Sequence, residues 1–322
     1  MDAPVSVARA TLSPMSVWDI LDRSVRLYRR RVGTILPAAV LVALAIYPAN
    51  RICLFALLHY VAGLERAPSG LAPALAALLV VLALSALVLA LSFIQTGVMA
   101  VVICDAYFES EGAAPDGAGL KPSARPAGRL LSALRKVPLR SLVLSSLLAA
   151  CVINLALLPL VVPAFVLAIS FALVPLVAAL EGPAGLSPGA GGTGAWACLR
   201  RSWRLVRARM GGGFWNSNVT RIVVIWAFGL VVLMLGYAIV MSLVEVVPES
   251  WKTTRTVDIP GIVTFSAPVL RTWPAVAFDL VGQVVCAFFQ PFVFCALVLL
   301  YYDIRVAKEG IDIEWGLDRL GW

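Results

Sequence analysis

Six apolar runs dominate the chain, at about residues 34–60, 73–104, 138–159, 163–181, 217–244 and 275–302, separated by short polar stretches rich in Arg and Lys. A membrane-crossing helix needs about 20 mostly apolar residues, so each run predicts a span. The run at 73–104 outlasts a ~30 Å hydrocarbon core at ~1.5 Å per residue and is expected to tilt or to continue beyond it. Pro159 and Pro163 bracket the stretch PLVVP, which cannot continue a regular helix and predicts a tight hairpin between the third and fourth runs. Residues 110–128 and 182–194, rich in Gly, Pro, Ala and Ser, read as flexible connectors. Thr253 to Ser266 alternates β-formers around Pro260-Gly261, a pattern compatible with a short hairpin.

The polar stretches have a pattern of their own. In the first, Val17, Ile20, Leu21, Ser24, Leu27 and Tyr28 recur at helical spacing while Arg23, Arg26, Arg29 and Arg30 lie off that face. Ser16 and Asp19 form a candidate capping box. Such a helix suits the membrane interface, with Trp18 and Tyr28 as anchors and arginines toward anionic headgroups. A second copy follows at one constant offset. Trp18, Leu21, Arg23, Ser24, Arg26, Leu27, Arg29, Arg31 and Gly33 are matched by Trp196, Leu199, Arg201, Ser202, Arg204, Leu205, Arg207, Arg209 and Gly211. Basic composition alone does not align Trp, Ser and Gly as well. Farther on, Asp105 precedes Glu111-Gly112 as Asp303 precedes Glu309-Gly310, and a weaker third copy has Arg129–Arg140 as its basic segment and Glu181-Gly182 at its end. The expected fold is therefore all-α: a polytopic integral membrane protein with six transmembrane helices, built as helical-hairpin repeats with basic interfacial helices. Its parts are an amphipathic segment at 1–33, a six-helix membrane domain at 34–302 and a tail at 303–322.

Composition sharpens this reading. Hydrophobic residues make up 61% of the 322, charged residues only 14%, and the mean hydropathy is +0.93, far from the roughly 25% charged residues of soluble domains. The net charge of +8 does not imply nucleic acid, because the Lys and Arg lie beside the apolar runs and not on one soluble module. Most of them fall on one side of the predicted topology. Only Arg51, Arg66, Lys252, Arg255 and Arg271 fall on the other, so the positive-inside rule places both termini in the cytoplasm and the chain in the cell inner membrane. Arg9 and the charged stretch from Asp19 to Arg31 argue against a cleaved leader.

Candidate chemistry is sparse. Cys53, Cys104, Cys151, Cys198, Cys286 and Cys295 have no metal-ligand spacing and read as small apolar residues. His59 is the single histidine, and no GxSxG, HExxH or P-loop pattern occurs, so no catalytic residue, metal site or cofactor is expected. Ionisable groups inside spans are the default functional candidates. Here these are Arg51 and His59 in the first span, Asp279 toward the outer end of the sixth, and Asp105 and Asp303 at the inner ends of the second and sixth; Arg51 and Asp279 suit either an ion pair between the first and sixth spans or snorkelling to the interface. Gln283 and Gln290 add neutral polar groups, which also serve as contacts between helices, and Pro48, Pro175 and Pro291 mark kinks.

Three stretches, VWDILDRSVRLYRRRVGTIL, ACLRRSWRLVRARMGGGFW and above all LLYYDIRVAKEGIDIEW, resemble the bacterial membrane domain that accompanies some glycerophosphoryl diester phosphodiesterases and also occurs alone. The resemblance implies a six-helix membrane domain. It carries no catalysis across, since the soluble module of those enzymes uses paired histidines and acidic metal ligands, whereas this chain has only His59 and no long soluble stretch. The motif residues it identifies are Arg201, Ser202, Trp203, Tyr301, Tyr302, Asp303, Arg305, Lys308 and Glu309. Charges such as Asp303 and Arg305 also have a local reading, as groups closing the end of a span.

The expectation is a non-enzymatic scaffold or accessory subunit. Its partner is a membrane lipid with an anionic headgroup, another membrane protein or a cytoplasmic protein, held by Arg23, Arg26, Arg201, Arg204, Arg207, Asp303, Arg305, Lys308 and Glu309. A transporter or channel-like protein using Arg51, Asp279, Gln283 and Gln290 is the alternative. A membrane domain linked to glycerophosphodiester metabolism is the third reading.

Overall fold

The computed structural model describes residues 15–64, 71–110, 138–158, 160–181, 194–207, 217–245, 252–259, 263–270 and 272–309. Among these described residues, six helices are long and apolar enough to cross a membrane, making this a multi-pass membrane protein with an all-α body. They are built from α1 (Val17–Leu64), α2 (Leu71–Ser110), α3 (Leu139–Leu157), a broken fourth span beginning with α4 (Val161–Ser170), α6 (Asn218–Glu245) and α7 (Thr272–Glu309); the basic helix α5 (Ala195–Arg207) lies between the fourth and fifth spans. The expected connectors at 110–128 and 182–194 lie almost wholly outside the described residues, as does most of Arg129–Arg140.

The first basic segment and the first span are two helices that meet at a kink within α1, with non-helical backbone at Arg31 (φ −121°, ψ 22°), and Gly33 and Pro37 in the following turns. Pro37 lacks an N–H and crowds the carbonyl one turn back, which favours a bend here. The capping box forms as expected: the Ser16 amide and hydroxyl donate to Asp19 Oδ2 at 3.1 and 2.7 Å, and the Asp19 amide donates to Ser16 Oγ at 3.2 Å. The last helix runs a few residues past the expected span end, with Asp303 in its final turns as the inner-end placement expects.

The fourth span is broken. Helix α4 ends at Ser170, a short turn at Val174–Leu176 follows, and a π-helical turn covers Val177–Glu181. Pro175 explains the break, since it supplies no amide and excludes regular helix for the preceding turn. The Val174 amide donates to Phe171 O at 3.0 Å, one residue short of its α-helical acceptor. Ser170 O, left free by that shift, accepts the Ser202 hydroxyl of α5 at 2.8 Å.

Helix α7 packs along α1, α6 and α2, α3 packs between α2 and α4, and α5 lies against α3 and the π-turn. Gly97 of α2 allows the closest approach: a Cβ there would sit 2.6 Å from Leu142 and 3.1 Å from the Pro175 carbonyl. Packing is graded along the bundle. Ile20, Ile35, Met99, Ile103, Leu142, Leu173, Leu176 and Leu300 are fully buried near the end that carries the arginines, here called the basic end. Toward the opposite end Ile52, Phe55, Leu79, Val161, Leu235 and Val281 are exposed. At that far end β1 (Lys252–Ile259) and β2 (Val263–Leu270) pair antiparallel, from Lys252 opposite Leu270 to Ile259 opposite Val263, the hairpin with which the alternating sequence is compatible.

Candidate functional site: a buried charge network at the basic end

Glu181 emerges from the π-turn into the core, and three groups from other elements converge on its carboxylate. Arg201 Nε of α5 lies 3.2 and 3.4 Å from the two oxygens, and the Tyr301 hydroxyl of α7 donates to Oε1 at 2.7 Å. Arg305 Nε stands 3.8 Å from the same oxygen, and Arg305 Nη1 also donates to the Tyr301 hydroxyl at 3.4 Å. The Glu181 side chain is 2% exposed. A carboxylate so far from water is tolerable only with charged and hydrogen-bonding partners such as these.

A second cluster holds the start of the described chain. Arg221, near the beginning of α6, donates from Nη2 to Asp303 Oδ2 at 2.6 Å and to the Met15 carbonyl. The Met15 amide donates to Asp303 Oδ1 at 3.0 Å. One carboxylate of α7 thus fastens both α6 and the entry to α1. The local reading of Asp303 and Arg305 as groups closing their own helix gives way to contacts between elements, because both side chains face neighbouring helices.

The remaining candidates divide by exposure. Arg23, Arg26, Arg204, Arg207 and Lys308 are exposed. Arg26 pairs with Asp22, Arg207 stacks over the Trp203 ring at 3.7 Å, and Lys308 Nζ donates to the Arg204 carbonyl at 3.4 Å. The side chains of Glu309 and His59 lie outside the described residues. Equivalent positions of the two basic helices share their burial: Leu21 and Leu199, Ser24 and Ser202, and Leu27 and Leu205 are buried, whereas Trp18 and Trp196 are exposed.

Toward the far end, Arg51 of α1 pairs with Asp279 of α7, which is the ion-pair alternative read from the sequence. Gln290 is not with them. Its Oε1 accepts from Gln95 Nε2 of α2 at 2.8 Å, a contact between spans, while Gln283 is half-buried one turn after Asp279. Asn154 is likewise held, with its Oδ1 accepting the Ser85 hydroxyl at 2.6 Å. Arg221 and the hub role of Glu181 were missed by sequence reasoning. Their signal was a single charge within each apolar run, VTRIVVIW and VAALEG.

No family model, curated protein or solved structure matches the chain.

Proposed function

We propose that this chain is a non-enzymatic membrane scaffold that holds anionic phospholipid headgroups at its basic end, with both termini on the cytoplasmic side of the inner membrane. The observation that carries the reading is the division of labour among the arginines. Arg201, Arg221 and Arg305 bind carboxylates inside the protein, whereas Arg23, Arg26, Arg204 and Arg207 are exposed beside the exposed Trp18 and Trp196. Aromatic rings and cations at a helix surface suit an anionic interface, where each basic residue contributes about 1 kcal/mol. The rigid network beneath keeps the two basic helices in a fixed relation, which suits a platform.

Among the described residues, Met99, Ile103, Leu173, Leu176 and Leu300 fill the basic half without exposure, which favours a scaffold over a polar transport path. Most residues behind the resemblance to the phosphodiesterase-associated membrane domain, including Arg201, Ser202, Tyr301, Asp303 and Arg305, make internal contacts. This supports reading that motif as the signature of a structural module, and the shared burial of the two basic helices supports a repeat. Lipid retention tests the proposal. In nanodiscs of neutral lipid doped with phosphatidylglycerol, the purified chain is expected to enrich the anionic lipid in a salt-sensitive way, and Arg23, Arg26, Arg204 and Arg207 changed together to Glu should abolish the enrichment. Unchanged enrichment in that variant would overturn the proposal.

A further inference from the structure

The hairpin at the far end is amphipathic. Residues directly opposite in an antiparallel pair share a face, and successive residues alternate between faces. The register therefore puts the pairs Val257–Phe265 and Ile259–Val263 on one face, with Ala267 and Val269 beyond them and Arg255 as its one charge. The pairs Thr256–Ser266 and Asp258–Thr264 share the other face with Lys252 and Thr254. Among the described residues, the hairpin's main helical neighbour is α7, which starts two residues after β2.

Its position identifies what the apolar face meets. Helix α6 ends at Glu245 and α7 begins at Thr272, so the hairpin leaves and rejoins the bilayer at the surface opposite the basic end. Standing upright, strands of eight residues at ~3.3 Å each would carry Ile259 and Val263 about 25 Å from that surface, far beyond a headgroup layer of about 6 Å, and leave the apolar face in water. Lys252 opens β1 and Arg271 follows β2, so with Arg255 three of the five basic residues on this side of the expected topology gather at the hairpin base, where headgroup phosphates lie. Trp251 and Trp273 flank the hairpin in sequence, the residue type that collects at bilayer surfaces. Pro268 has no amide to donate, which denies a partner strand a ladder bond along β2.

We infer that the hairpin lies along the bilayer surface opposite the basic end, with the Val257–Phe265 face set into lipid and the Thr256–Ser266 face toward water. The apolar face is covered by the acyl border of that leaflet, and Lys252, Arg255 and Arg271 serve its phosphates. An element tied to the membrane through a span at each end needs little affinity of its own, because lipid is always within reach. Its apolar strip then sits in the interface as that of an amphipathic helix does. This seating makes no use of the basic-end arginines, so it stands or falls apart from the scaffold proposal.

The test uses the full chain in vesicles of phosphatidylethanolamine and phosphatidylglycerol, spin-labelled at one introduced cysteine at a time, with the unsubstituted chain as the background for its own cysteines. Oxygen, which concentrates in lipid, and a water-soluble nickel chelate serve as the colliding reagents. Labels at Val257→Cys and Phe265→Cys should favour oxygen over the chelate severalfold, and labels at Thr256→Cys and Ser266→Cys should reverse that preference. If Phe265→Cys disturbs the hairpin, Ala267→Cys and Thr264→Cys report the same two faces with smaller changes of volume. An equal oxygen-to-chelate ratio on the two faces, as for a hairpin standing in water, would overturn the inference. So would shielding of the Val257–Phe265 face from both reagents, which would mean that protein, either the bundle or a second copy of the chain, covers it.

Discussion

The two ends of the bundle use the same chemistry under opposite conditions. At the basic end the Arg221 and Asp303 side chains are 2% and 6% exposed, and each has a further partner at Met15. At the far end Arg51 and Asp279 are 39% and 41% exposed. Charges removed from water must be compensated almost completely, so losing one member of a buried pair leaves an expensive orphan. An exposed pair has solvent or headgroups as alternatives and contributes little. The contrast teaches that the relative placement of α1, α6 and α7 is set at the basic end, leaving the far-end pair free to exchange partners.

This difference is open to direct attack. Arg221→Met strands Asp303 beside the Met15 amide and should cost about 3–5 kcal/mol, read as a large loss of thermal stability in mild detergent. Glu181→Gln keeps the shape but removes the charge that Arg201 and Arg305 approach, and should cost about 2–4 kcal/mol by the same reasoning; an unchanged melting temperature would remove Glu181 from its place as hub. Ser202→Ala leaves the Ser170 carbonyl unsatisfied at the Pro175 break and should cost about 1–3 kcal/mol. Arg51→Gln sets the lower end of the series, at roughly 0–1 kcal/mol. A far-end loss equal to that of Arg221→Met would erase the contrast.

Much of the fold was legible because it depends on local pattern. Runs of apolar residues gave the spans, the Ser16–Asp19 spacing gave the cap, and alternation between Thr253 and Ser266 gave the hairpin. The Arg51–Asp279 pair was legible as one of two options because charges are rare in spans. The basic-end network was not. Tyr301 and Glu181 are 120 positions apart and Arg221 and Asp303 are 82 apart, so no periodicity links them. Pro175 announced a kink, but the partners that meet Glu181 beyond it, Arg201 and Tyr301, come from other helices. Arg221 stood beside a polar boundary and read as a topology signal, when its burial is set by packing against Met15 and α7. Arg23 and Arg201 hold equivalent sequence positions, yet only Arg201 has a buried carboxylate within reach.

The central claim is that buried carboxylates fasten the elements of the basic end together, and a double-mutant cycle on Arg221 and Asp303 tests it most directly. Unfolding should show large losses for Arg221→Met and for Asp303→Leu singly. The double variant should lose much less than their sum, with a coupling of about 2 kcal/mol or more. Strictly additive losses would mean that the two side chains do not depend on each other, and would contradict the account.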